Sequence, residues 1–156
     1  TPRRLAKALA EMTQGYMMSA QDVLSTTFDV PCDDVVVLKG VRFTSLCEHH
    51  VLPFVGEAAI AYLPGDRVVG LSKLARLVDV YSKRLQVQER LTHQITDALV
   101  KVLQPKGAAA VVRAHHSCMG CRGAKQPDAE MVTSSMRGLF REDASARHEL
   151  LRLMGY

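Results

Sequence analysis

Apolar positions along the chain change period several times, and each change predicts an element. Leu5, Leu9 and Met12 keep helical spacing as far as Gly15, with Thr1 placed to cap and Pro2 at the first helical position. A second short helix is expected after Ser19. From Val35 to Leu46 the chain is rich in β-branched residues and predicts a strand. Gly56 to Leu63 predicts another, ended by the turn Pro64-Gly65-Asp66, and the two are placed to pair as a hairpin. Val68 to Leu71 reads as short and extended. Ser72 then suits the cap of a helix carrying Leu74, Leu77, Val78 and Tyr81, and Val87, Leu91, Ile95, Leu99 and Val102 form the stripe of a longer one that Pro105 and Gly107 stop. Strands are expected from Ala108 to Ser117 and from Met131 to Leu139, and a last helix from about Ala144 to Met154. Two antiparallel strand pairs flanking two central helices predict an α+β fold, a sheet with its helices on one face.

Composition sets limits on this picture. With 156 residues, 47% hydrophobic and 23% charged, the chain is long enough for one domain with a proper core. No repeat, low-complexity tract or flexible linker divides it. No apolar run approaches the roughly 20 residues that span a bilayer, and Thr1-Pro2-Arg3-Arg4 lacks the apolar stretch of a signal peptide, so a cytoplasmic protein without a membrane partner is expected. A net charge of +4 permits an anionic ligand. Aromatic content of 5%, no tryptophan and no nucleic-acid motif argue against a nucleic-acid partner.

The candidate chemistry lies in two segments, Cys47-Glu48-His49-His50 and His115-His116-Ser117-Cys118. A cysteine and a histidine three apart meet on one side of a tight turn, and His116 and Cys118, two apart on an expected strand, share a face. Cys47, His50 and Cys118 are thus candidate ligands of a zinc ion, with His49 and His116 free beside them. Three protein ligands and an open position describe a catalytic zinc. Two alternatives stand beside it. Buried cysteines and paired histidines often serve packing alone. A closed structural site of Cys47, His50, Cys118 and Cys121 also fits the spacing; on a strand Cys118 and Cys121 face opposite sides, but Gly120 permits a turn that reunites them. Two cysteines next to histidines favour reduced thiols over disulfides, and Cys32, far from any histidine, reads as a bystander.

Longer motifs carry a resemblance. Ser45-Leu-Cys-Glu-His-His-Val-Leu-Pro-Phe54, Gly70-Leu-Ser-Lys-Leu-Ala-Arg76, Gln86-Val-Gln-Glu-Arg-Leu-Thr92 and Cys118-Met-Gly-Cys-Arg-Gly123 resemble GTP cyclohydrolase I, as do Thr133-Ser-Ser-Met136, Gly138-Leu-Phe140 and Arg147-His-Glu-Leu-Leu151. Family members usually carry more helical sequence before the Thr-Pro start, and Cys121 stands where many have methionine or another residue.

The resemblance implies a tunnelling fold with an antiparallel four-stranded sheet, assembled into rings as a homodecamer of two pentamers. It implies one unit over 1–156, with an N-terminal helical arm of about 1–30 and a catalytic core of about 33–156. The implied reaction is zinc-dependent conversion of GTP to 7,8-dihydroneopterin triphosphate and formate, the first step of folate or pterin biosynthesis. Carried over by position, Zn2+ falls to Cys47, His50 and Cys118, acid/base work to His49 and His116, and ribose opening to Ser72. Lys73 and Arg76, one turn apart at a helix start, suit the triphosphate, as does Arg122; by family position Arg4 and Lys7 reach it as well, from a neighbouring subunit. Glu89 is the candidate for guanine, since a carboxylate accepts N1–H and the 2-amino protons together, and Gln88 is placed to support it. Each of these charges also has an ordinary role on a solvated helix face or in a first turn. A related enzyme of the same fold with other chemistry, and a zinc-stabilised binding module, are the rival functions; the module would hold zinc and leave GTP untouched.

Overall fold

The computed structural model describes residues 1–156. Helix α1 (Pro2–Met12) starts at Pro2 as expected, although the Thr1 hydroxyl makes no cap bond and no residue of the helix is buried. A 3₁₀ turn (Gln14–Met17) and α2 (Ala20–Val23) follow, and Ser19 Oγ accepts the Asp22 N–H at 3.3 Å. The chain continues through β1 (Thr27–Phe28), β2 (Val36–Cys47), β3 (Pro53–Leu63), β4 (Val68–Val69), α3 (Leu71–Ser82), β5 (Leu85–Gln86) and α4 (Gln88–Leu103). It ends with β6 (Gly107–His116), α5 (Ser117–Gly120), β7 (Glu130–Gly138), α6 (Leu139–Glu142) and α7 (Ala144–Met154).

The hairpin of β2 and β3 forms, and the main sheet runs β5-β2-β3-β6-β7. Its four long strands are antiparallel, but the sheet has five strands, not the four expected. Leu85–Gln86 adds a parallel edge opposite Leu46 and Cys47, too short for any periodicity to announce. Gly40, at φ +71, sits inside a register shift of β2 between Leu38 and Val41. That left-handed backbone suits a residue without Cβ and turns the strand locally.

The expectation of helices on one face is also corrected. Even-numbered β3 residues Ala58, Ile60 and Tyr62 pack with Leu74, Leu77, Leu91, Ile95 and Leu99 of α3 and α4. Odd-numbered Ala59, Ala61 and Leu63 pack on the opposite side with Phe140, Leu150 and Met154 of α6 and α7. Alanines at Ala108, Ala109 and Ala110, all fully buried, let helices approach both sides of β6. Gly138, at φ +58, makes the switch from β7 to α6; a Cβ there would lie 2.5 Å from the Lys106 carbonyl oxygen. Ser72 does not cap its helix: α3 starts at Leu71 with Gly70 as N-cap, because pairing of β4 with β1 ends the extended chain at Val69. Expected boundaries elsewhere shift by one to three residues, and Gln104, in the left-handed region, ends α4 just before Pro105. No helix is long and apolar enough to cross a membrane.

Candidate metal centre and its surroundings

Cys47 is the last residue of β2 and is buried, tied in place because β2 and β5 lie side by side. The next residues close a tight turn: Val51 N–H donates to the Cys47 carbonyl and Cys47 N–H to that of Leu52, both at 2.8 Å. Val51 takes φ +54 to close it. For a β-branched residue this conformation costs on the order of 1–3 kcal/mol and persists only where surrounding bonds hold it. Here they do. Glu48 N–H donates to the Gln86 carbonyl at 2.9 Å, and the Glu48 carboxylate meets Arg90 Nη2 at 2.7 Å. Arg90 in turn donates to Gln86 Oε1 at 3.1 Å and the Leu85 carbonyl at 3.2 Å. The turn directs His49 Nδ1 to 4.0 Å and His50 Nδ1 to 3.8 Å from Cys47 Sγ.

Cys118 arrives from the other side. The strand expected to continue to Ser117 ends at His116, and Cys118 sits in the helical turn α5, where Cys121 N–H donates to the Ser117 carbonyl at 2.9 Å. One ligand atom each from Cys47, His50 and Cys118 then lies within 4.8 Å of the others. Cys121 is exposed and outside this group, so the four-ligand site is not assembled. Burial first, then the hydrogen bond and charge of Cys47, push the Cys118 thiol up. Two thiolates side by side are unfavourable until a cation joins them, which is the condition a metal ion meets. A pair of sulfur donors with an imidazole fits zinc, and three donors leave one position open.

His116 stands beside this group. Its ring stacks on Phe54 with centroids 4.5 Å apart and planes 5° from parallel, and its Nε2 lies 2.8 Å from Gln88 Oε1. Burial lowers its pKa from the ordinary imidazole value; Glu89 opposes the shift and His115 adds to it. His116 and Cys118 line a cavity of about 380 Å³ with Met119, Ala129, Glu130 and Met131. A hollow of about 610 Å³ along α7 is larger, but α7 alone lines it, without a donor cluster.

The remaining predicted residues divide into near and far. Arg122 Nη1 stands 3.2 Å from His50 Nε2, at the donor cluster. Glu89 is exposed in the first turn of α4, next to Gln88. Ser72, Lys73 and Arg76 share the first turns of α3, with Ser72 and Arg76 exposed. Gln88 is buried, with both ends of its amide engaged inside the protein, which periodicity could not reveal. Arg4 and Lys7 are exposed on α1, whose main contacts are with β2 and the 3₁₀ turn. Sequence reasoning passed over Arg90 and Phe54; both lie within the motifs already quoted, Arg90 one residue after Glu89.

The sequence model of GTP cyclohydrolase I matches residues 1–155. The chain belongs to that family. A GTP cyclohydrolase 1 from Wolinella succinogenes is 50% identical over 97% of this chain and 81% of its own length. Those of Gloeobacter violaceus and Streptococcus pyogenes serotype M49 are 50% and 51% identical over 99% of the chain, covering 72% and 80% of their own lengths. Fold similarity extends to a crystal structure of the archaeosine synthase QueF-Like in the apo form. There the TM-score is 0.57 at 19% identity, over 70% of this chain and 96% of that one. Membership of the GTP cyclohydrolase I family makes the chain an enzyme, and the donor group at the end of β2 is the part of it able to hold a metal ion.

Proposed function

We propose that the chain is a zinc-dependent cyclohydrolase that turns GTP and water into 7,8-dihydroneopterin triphosphate and formate, the first step toward folate and other pterins. The observation that carries this reading is the convergence of Cys47, His50 and Cys118 within 4.8 Å, with His116 beside them. These three residues would hold the ion. Zinc bound there supplies the Lewis acidity that makes water a nucleophile near neutral pH.

The other side chains bind and move protons. His116 and His49 serve as acid and base, giving a proton to the purine nitrogen that departs when the imidazole ring opens. Partial burial lowers the pKa of His116 and so favours its neutral form, the form that accepts a proton. Glu89 accepts the N1–H and 2-amino protons of guanine. Lys73, Arg76 and Arg122 neutralise the triphosphate, with Arg4 and Lys7 contributed by a neighbouring copy. Ser72 assists ribose opening before the new ring closes. The assembly is a tunnelling-fold ring, a homodecamer of two pentamers in the cytoplasm, with residues of about 1–30 as an arm on a core of about 33–156. Incubation of the zinc-loaded protein with GTP should release formate and a pterin chromophore in equal amounts. Stoichiometric zinc with intact GTP would reduce the chain to a binding module.

A further inference from the structure

Gln88 occupies the first position of α4 and is 1% exposed, so its amide must find partners inside the protein. Nε2 lies 3.0 Å from the Val112 carbonyl oxygen, 3.0 Å from that of Met131 and 3.2 Å from Thr133 Oγ1. Carbonyl oxygens only accept, so the group facing them is the amide NH2. The reverse orientation would set an oxygen against two oxygens. Oε1 is thereby committed to His116 Nε2, 2.8 Å away. An oxygen that only accepts, at that distance, requires a proton on the nitrogen.

We propose that Gln88 is a positioning residue that holds His116 in its Nε2–H tautomer and leaves Nδ1 as the ring nitrogen that exchanges protons with the substrate. The proposal rests on the reading of His116 as acid or base. Phe54, stacked on the ring, restricts tilt out of plane, while Gln88 restricts rotation within it. A second layer holds Gln88 itself: Thr92 Oγ1 donates to the Gln88 carbonyl at 2.8 Å and meets Thr133 Oγ1 at 2.7 Å. With both amide ends engaged in this way, the Gln88 side chain serves His116, and the carboxylate reading of guanine falls to Glu89.

The test uses the zinc-loaded full chain with ¹⁵N-labelled histidine, at a pH where the rings are neutral. His116 should show distinct shifts for a protonated Nε2 and an unprotonated Nδ1. Gln88→Met, similar in size without the amide, should move the two shifts toward a tautomer average. Its kcat for GTP should fall by about 10- to 100-fold, as for other groups that orient a reacting imidazole, with KM within about twofold. A wild-type spectrum showing Nδ1–H or an even mixture overturns the proposal, and it does so even where Gln88→Met fails to fold. A raised KM at unchanged kcat and unchanged tautomer in the variant would return Gln88 to the substrate. Failure of the acid/base reading is separate: His116→Ala would keep its turnover whatever the tautomer in the parent.

Discussion

The two segments that supply the metal donors are built differently. Cys47–Leu52 is a closed turn tied to three neighbours: to β3 by the hairpin, to β5 through Glu48 N–H, and to α4 through the Glu48–Arg90 pair. Ser117–Gln126 bonds largely to itself, Cys121 N–H to Ser117 and Gln126 N–H to Met119, and residues 121–128 are all exposed. Two donors are thus set by the sheet before any ion arrives. The third hangs from the end of β6. In such a site the ion contributes order chiefly to one half, since binding energy is spent where the ligands are not already placed.

The largest effect expected is loss of the metal. Alanine at Cys47, His50 or Cys118 should abolish stoichiometric zinc and turnover together, whereas Cys121→Ala should keep both; zinc retained by Cys118→Ala would mean that the first segment binds alone. One histidine proposed for proton transfer, His49, lies within the first segment, and the other, His116, immediately precedes the second. His49→Ala and His116→Ala should retain zinc yet lose about 10²- to 10⁴-fold in kcat. Near-normal rates in one of them would assign the chemistry to a single segment.

Chelation tests the difference in order directly. Removing zinc should raise amide exchange by about tenfold or more at Cys121, Lys125 and Gln126 and by less than about twofold at Cys47 and Val51, the amides that are hydrogen-bonded in each segment. Equal changes in both segments would mean that the ion orders both alike. Arg90→Ala loosens the better-held half. The pair is 44% exposed on each side, so it adds at most about 1 kcal/mol to stability. Zinc dissociation, timed with a competing chelator, should still quicken by about tenfold, because the residue orients the ligand turn. An unchanged rate would show that β5 suffices. The smallest effect concerns strain: Val51→Asn, which tolerates the left-handed backbone, should raise Tm by about 2–4 °C for roughly 1 kcal/mol at fixed zinc and protein concentration. A lower Tm would mean that packing of the valine outweighs its backbone.

Much of this arrangement is legible in the chain. The bounds of α7, Ala144–Met154, coincide with those expected from its apolar spacing, and the three donors that meet are the three the spacing suggested. Placement of α7 on the second face departs from the expected one-sided sheet, although Ala58-Ala-Ile-Ala-Tyr-Leu63 and Ala108-Ala-Ala-Val-Val112 lack the polar alternation of a half-exposed strand. Continuous apolar runs of that kind signal cover on both sides. Other features have no local signature. The parallel edge at Leu85–Gln86, the 2.8 Å contact of Gln88 with His116 and the Arg90 latch join residues 28 to 42 apart in sequence, and only the folded sheet brings them together.

Phe54 belongs at once to the hydrophobic core and to the wall against which His116 lies. Phe43 meets it edge-on, with centroids 5.9 Å apart and planes at 81°. The His116 ring therefore has only its edge held by a side-chain hydrogen bond, to Gln88; its face rests on the protein's interior. A change at Phe43 that a core would ordinarily absorb by small shifts would be passed through one aromatic ring to the imidazole. With His116 in the proposed acid/base role, the tolerance of the interior along this line would be set by the imidazole's placement as well as by folding.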